Sequence, residues 1–256
     1  MLLILRSVWI WCSAATLIVV WLPLLLIVRA FDPDPVRYRT GRLFRRLGAL
    51  LAKLNPWWAL TISGEHIEDI RRPYVVVSNH QSLADIPFIS NLPWEMKWVA
   101  KAELFRIPVA GWMLRLAGDI PVDRSDRRSG AKMLLMAARY LQSKCSVIFF
   151  AEGTRSLDGR VGRFNDGAFH LAIREQVPVL PIVVEGSRAC IPKRSLLFGK
   201  KASVFLKVLP PIETSGMTLD STGNLRDIVR AMIVRQIAEW RHAPASEVDA
   251  LAATAR

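Results

Sequence analysis

Residues 74–85 read Tyr-Val-Val-Val-Ser-Asn-His-Gln-Ser-Leu-Ala-Asp. An unbroken apolar run of β-formers, without alternation, marks a strand covered on both faces, as in a parallel sheet flanked by helices. Polar residues follow at once from Asn79, and a helical stretch is expected over Leu83–Ser90. The stretch therefore reads as a strand that delivers His80 to its C-terminal end, just before a helix. Open α/β sheets place their ligands there.

Working outward, the same alternation recurs after Pro56. Strands are expected at Ala59–Ile62, Tyr74–Ser78, Lys97–Ala100, Ile120–Val122, Val147–Phe150, Val179–Val184 and Val204–Val208. Helices are expected near Leu83–Ser90, Val109–Leu116, Arg127–Gln142, Ala168–Glu175 and Leu225–Arg241. Strands and helices in alternation define an α/β class, with one sheet domain over residues 56–242. Residues 243–256, rich in Ala and small polar residues, are expected to form a flexible tail.

Residues 1–55 differ in kind. Ser7–Val28, SVWIWCSAATLIVVWLPLLLIV, carries no charged side chain over 22 residues, and about 20 suffice to cross the hydrocarbon core as a helix. Trp9, Trp11 and Trp21 lie toward its ends, as interfacial aromatics do. The run exceeds the h-region of a cleaved signal, and basic residues follow rather than precede it, so retention as an anchor is expected. Next, Leu43, Phe44, Leu47, Leu50, Leu51 and Leu54 recur at helical spacing, with Arg39, Arg42, Arg46 and Lys53 on another face. Such a helix either packs on the body or lies among the headgroups of an anionic leaflet, and the preceding apolar helix favours the second. The basic excess after the hydrophobic stretch places the body on the cytoplasmic face of the cell (inner) membrane, if the first helix spans. Whether it spans or dips into one leaflet is open at this point.

The formal net charge is +13, of which residues 1–55 supply +6; the sequence pI is near 10.4. The body is thus basic in its own right, which suits a phosphorylated substrate or an anionic bilayer. No zinc spacing, RNP-like sequence or basic zipper supports nucleic acid as a partner. Cys12, Cys145 and Cys190 make no disulfide framework, and Cys145 reads as a small buried hydrophobe at the start of an apolar strand.

Two constellations can carry chemistry. In Ser78–Asp85, a neutral His80 can take a proton from a hydroxyl while the Asp85 carboxylate fixes its tautomer. The bland alternative is a satisfied core histidine beside a capping Asp. On a straight helix residues five apart diverge by about 140°, so the pair meets only if His80 lies before the helix. Ser82 is the expected cap, although Pro87 then sits awkwardly late. The second constellation, Phe149-Phe150-Ala151-Glu152-Gly153-Thr154-Arg155-Ser156, also ends a strand. Glycine there admits an anion close to the backbone, and Thr154 and Arg155 offer donors suited to phosphate. Alone, it reads equally as a turn with a solvated Arg.

Taken in order, these blocks resemble the glycerolipid acyltransferase family typified by 1-acylglycerol-3-phosphate acyltransferase. Asn79–Asp85 resembles its N-H-x4-D signature. Lys101-Ala102-Glu103-Leu104, with Pro108, Gly111, Gly118 and Val122-Asp123-Arg124, resembles its second block. Phe150–Ser156 is similar to F-P-E-G-T-R-S, and Val177–Ile182 to the fourth block. The resemblance implies a single mixed-sheet domain behind an anchoring helical pair, and acyl transfer from acyl-CoA or acyl-carrier protein to a lysophospholipid acceptor. It makes His80 the general base and Asp85 its partner. Lys101, Arg155 and secondarily Arg124 hold the acceptor phosphate; Gly153 and Thr154 shape that site, and Glu152 organises the loop. No metal or other cofactor is implied. Two departures stand out: Ala151 replaces the usual Pro, and Asn165 stands where many members carry Lys. Serine hydrolase chemistry finds no G-x-S-x-G elbow, Cys145 lacks the surroundings of a reactive thiol, and a non-catalytic membrane-binding module leaves His80, Asp85 and the Glu152–Arg155 loop unaccounted for.

Overall fold

The structure, a computed structural model, describes residues 2–191, 197–198 and 201–252. Seven strands form a mixed sheet: β1 (Trp58–Gly64), β2 (Val75–Ser78), β3 (Met96–Lys101), β4 (Ile120–Val122), β5 (Ser146–Phe150), β6 (Val179–Glu185) and β7 (Ala202–Val208), in the order β1-β7-β6-β2-β5-β3-β4. β1/β7, β2/β6, β3/β5 and β3/β4 run parallel, whereas β6 and β7 run antiparallel. Val75, Val76 and Val77 are wholly buried, as an apolar run without alternation requires. The chain has two compact units, Met1–Pro56 with Asp69–Pro73 and Ile86–Ile148, and Trp57–Glu68 with Tyr74–Asp85 and Phe149–Arg256.

In the first unit, α1 (Leu2–Ala30) and α2 (Tyr38–Lys53) pack with α4 (Ala110–Ala117) around Leu25, Leu47 and Met113. Trp21 Nε1 donates to the Leu43 carbonyl at 3.1 Å. The outer side of α1 exposes Leu5, Val8, Trp9, Val19, Val20, Leu26 and Ile27, and α1 is long and apolar enough to cross a membrane. α2 is not a free surface helix. Arg45, on its inner face, is buried and hydrogen-bonded to Asp119, with Glu95 at 3.7 Å; Lys97 donates to Glu95 at 3.0 Å. This charged lock joins the helical pair to residues 86–148 within one compact unit. α5 (Arg127–Gln142) is capped by Asp126, whose carboxylate accepts the Arg128 and Ser129 N–H groups.

The second unit carries α6 (Gly167–Glu175), α7 (Thr222–Arg241) and α8 (Ala245–Val248). α7 ends on His242 in the left-handed conformation, with the Ala243 N–H returning to the Ala238 carbonyl at 3.1 Å and Pro244 next. Beyond this stop, where composition suggested a flexible tail, the described residues 243–252 carry further structure. α8 forms, Val248 is fully buried, and Arg230 pairs with Asp249. Burial of one Val and one charge-assisted pair outweighs the weak local propensity of this segment. Residues 253–256 lie outside the described residues.

Candidate active site

β2 leaves the sheet through Asn79, whose side-chain amide stands in for a backbone pair. Nδ2 donates to the Val184 carbonyl at 2.8 Å, and Oδ1 accepts the Val184 N–H at 2.9 Å. His80 follows on this fixed stem. A short helix, α3 (Asp85–Ile89), starts at Asp85 itself, which puts Pro87 in the first turn, where its missing N–H is harmless. Ser82 opens the turn that leads into it: its hydroxyl accepts the Ala84 N–H at 3.3 Å and donates to the Ile191 carbonyl at 3.2 Å, while the Asp85 carboxylate reaches back to the Ser82 N–H, as a reciprocal cap does. The carboxylate gathers two further groups. Asp85 Oδ2 accepts from His80 Nδ1 at 2.7 Å, Gln81 N–H at 2.7 Å and Ser82 N–H at 3.0 Å.

Asp85 is wholly buried, and the His80 side chain is 10% exposed. The imidazole lies against the Phe150 ring, with centroids 3.9 Å apart and planes 17° from parallel. An ionised carboxylate can only accept, so Nδ1 carries the proton and Nε2 keeps its lone pair. A ring fixed on one edge by a carboxylate and on one face by an aromatic can take a proton from a hydroxyl with little reorganisation.

The loop after β5 secures the histidine's backbone on both sides. Glu152 Oε1 accepts the His80 N–H at 2.9 Å, and Ser156 N–H donates to the His80 carbonyl at 2.8 Å. Glu152 Oε2 accepts the Gly162 N–H at 2.9 Å. Burial pushes the Glu152 carboxyl above the usual carboxylate range, against the pull of those two N–H donors and of nearby His80. Gly153 has φ +70°, and a Cβ there would stand 3.1 Å from Asn165 Nδ2. Asn165, the departure noted in sequence, pins this loop: its Nδ2 and backbone N–H both reach the Ala151 carbonyl, at 2.8 and 2.9 Å. Thr154 is exposed and Arg155 half-buried on the same loop.

His80, Asp85 and Glu152–Arg155 thus share one compact unit. Lys101 and Arg124 belong to the other: Lys101 is exposed at the end of β3 and pairs with Glu103 at 2.8 Å, and Arg124 is exposed just beyond β4. Asn79 was read only as part of the N-H-x4-D block; its bridging of Val184 was not. Also unread was Glu185, which accepts from Gln81 Nε2 at 2.8 Å and pairs with Arg241 at 2.8 Å. These three residues line a cleft of about 810 Å³ together with Ser156, Asp158 and Arg188. Burial pushes the Cys145 and Cys190 thiols up to about 12, so neither is a thiolate at neutral pH.

Fold and site together define an acyltransferase-type α/β protein, and comparison with known proteins agrees. The family model described as Acyltransferase matches residues 60–185. The chain is 35% identical over 213 residues to 1-acyl-sn-glycerol-3-phosphate acyltransferase alpha of Mus musculus, covering 81% of this chain and 74% of that protein. It is 37% identical over 163 residues to a chloroplastic 1-acyl-sn-glycerol-3-phosphate acyltransferase of Arabidopsis thaliana, covering 63% and 46%. The chain spans about half the length of the relatives it matches from Arabidopsis thaliana, Brassica napus and Chlamydomonas reinhardtii. The crystal structure of the 1-acyl-sn-glycerophosphate acyltransferase PlsC from Thermotoga maritima superposes with a TM-score of 0.78 at 29% identity, covering 93% of this chain and 95% of that one. The chain belongs to the 1-acyl-sn-glycerol-3-phosphate acyltransferase family.

Proposed function

We propose that this protein moves a fatty acyl group from a thioester donor, acyl-CoA or acyl-carrier protein, to the sn-2 hydroxyl of lysophosphatidic acid, giving phosphatidic acid. The observation that carries this reading is the His80–Asp85 contact of 2.7 Å at the end of β2, with the ring held against Phe150. Nε2 of His80 takes the proton of the acceptor hydroxyl as its oxygen attacks the thioester carbonyl. The tetrahedral intermediate collapses with rupture of the C–S bond, and the imidazolium returns the proton to the departing thiolate. Asp85 keeps the tautomer and stabilises the transient imidazolium. General-base help of this kind contributes about 10²–10⁴ in rate.

Arg155 and Lys101, with Arg124 in a secondary role, are the proposed partners of the acceptor phosphate; Gly153 and Thr154 shape the loop that receives it. Glu152 sets the loop rather than touching phosphate, given its two backbone donors. Anionic lipids are the proposed surface for α1 and α2. The basic excess that follows α1 supports a catalytic unit on the cytoplasmic face of the cell membrane.

Incubating the purified protein with labelled acyl-CoA and a panel of acceptors tests the reading. The panel is lysophosphatidic acid, glycerol-3-phosphate, other lysophospholipids and a lyso-aminolipid. Fastest incorporation into lysophosphatidic acid is expected. Incorporation only into acceptors lacking phosphate would remove the role given to Lys101 and Arg155, and none into any acceptor would leave the membrane-binding module as the better reading.

A further inference from the structure

The segment that was expected to fray reaches the candidate site through an unbroken series of hydrogen bonds. Val161 pairs with residues 248–250: its N–H donates to the Val248 carbonyl at 2.8 Å, and Ala250 N–H donates to the Val161 carbonyl at 3.2 Å. Arg230, only 8% exposed, sits beneath. Its Nη2 donates to the Val161 carbonyl at 2.7 Å, its Nε to the Gly162 carbonyl at 2.7 Å, and both Nη atoms engage the Asp249 carboxylate, Nη1 at 3.0 Å.

The peptide joining Val161 to Gly162 has two ends. Its carbonyl oxygen is held by Arg230 and Ala250; its N–H points to Glu152 Oε2 at 2.9 Å. A trans peptide is rigid and planar, so fixing the oxygen aims the N–H in the opposite direction. Glu152 in turn receives the His80 N–H on its other oxygen. Gly162 allows the close approach, since a Cβ there would lie 3.1 Å from Glu152 Oε2.

We propose that Arg230, Asp249 and the chain from Ala245 to Ala250 form a clasp that positions the catalytic histidine, acting through the Val161–Gly162 peptide and Glu152 on the His80 backbone. This rests on His80 being the base. Arg230 and Asp249 are positioning residues in this role and touch no substrate. A planar guanidinium is required, because it must serve two adjacent carbonyls and a carboxylate at once; a Lys ammonium supplies charge without that fork.

Three variants, Arg230→Lys, Asp249→Asn and Gly162→Ala, test the clasp. They are assayed beside wild type and His80→Ala for kcat, KM, melting temperature and the pH profile of kcat, with lysophosphatidic acid and acyl-CoA. Misplacing a catalytic group by about an ångström can cost about a hundredfold. A fall of kcat by about tenfold or more is expected in each variant, with KM little changed. The acid limb of kcat is expected to move to higher pH. Loss of the Gly162 N–H leaves the Glu152 carboxylate, faced by His80 and Asp85, with one fewer donor favouring its ionised form. Gly162→Ala disturbs the same contact while keeping the Arg230 and Asp249 side chains, so it reports even if an Arg230 variant fails to fold. Variants with wild-type kcat and an unmoved acid limb overturn the clasp, as does a kcat lowered in proportion to lost folded protein at every pH. A fully active His80→Ala overturns the underlying reading instead, whatever the clasp variants do.

Discussion

Two buried clusters built around Asp and Glu, one in each compact unit, do opposite things with their carboxylates. In the first unit Arg45, Glu95, Lys97 and Asp119 are nearly or wholly excluded from solvent and closed on one another. Lys97 spends its remaining donors on the Ala117 and Arg37 carbonyls at 2.8 and 3.3 Å, and Asp119 also accepts the Trp98 N–H at 2.9 Å. Burial works against the Lys97 ammonium, yet Glu95 beside it holds its pKa above the ordinary lysine value. Two cations and two anions balance. In the second unit Asp85 and Glu152 surround a histidine, and Asp85 Oδ2 and both Glu152 oxygens accept N–H groups rather than pairing with a permanent cation. One ring nitrogen of His80 is left with no protein hydrogen bond among the described residues. Burial and charge are common to both clusters; an unengaged lone pair at a strand end marks the one suited to proton transfer.

Substitutions that remove one partner from each cluster separate these roles. Asp85→Asn is expected to have the largest effect, a fall in kcat of about 10²–10⁴, because an amide NH₂ facing Nδ1 favours the tautomer with Nε2 protonated. Steady-state transfer to lysophosphatidic acid measures it, and a variant within a fewfold of wild type would break the contrast. Asp119→Ala strands the buried Arg45 guanidinium and is expected to cost about 3–5 kcal/mol of stability, read by denaturant unfolding. A loss below 1 kcal/mol would mean the closed cluster is incidental.

Smaller effects sharpen the comparison. Gly153→Ala forces a Cβ into a left-handed position close to Asn165, at a cost of about 1–2 kcal/mol, again seen in unfolding. Cys145→Ala should leave the transfer rate unchanged, and iodoacetamide at neutral pH should spare Cys145 in the folded protein. Its folded pKa of about 12 lies above the ordinary 9.0. The stability it contributes is therefore intact below pH 9 and declines as pH rises toward 12. Rate loss with Cys145→Ala would revive a thiol nucleophile.

The sequence revealed what is local. Each expected strand lies within two residues of an observed one, from Ala59–Ile62 inside β1 to Val204–Val208 inside β7, because runs of β-formers, continuous where both faces are buried as in β2 and alternating as in β7, are recognised without a distant partner. His80 and Asp85, five residues apart, and the Glu152 loop were legible for the same reason. The helix expected over Leu83–Ser90 is shorter, Asp85–Ile89, because Leu83 and Ala84 form a turn in which the Asp85 N–H reaches the Ser82 carbonyl at 3.2 Å. Arg45 was hidden among the other basic residues of α2, because its partner Asp119 is 74 residues away. The clasp was hidden too: Arg230 and Asp249 act on a backbone peptide near position 161, which has no side-chain signature.

The central claim is that the His80 imidazole, and not the basic surface or the apolar anchor, performs the transfer. Its most direct test compares wild type with His80→Ala in transfer from labelled acyl-CoA to lysophosphatidic acid, both proteins first checked for the same melting temperature. Loss of phosphatidic acid formation to near background, with folding kept, is the predicted result; turnover like that of wild type would contradict it.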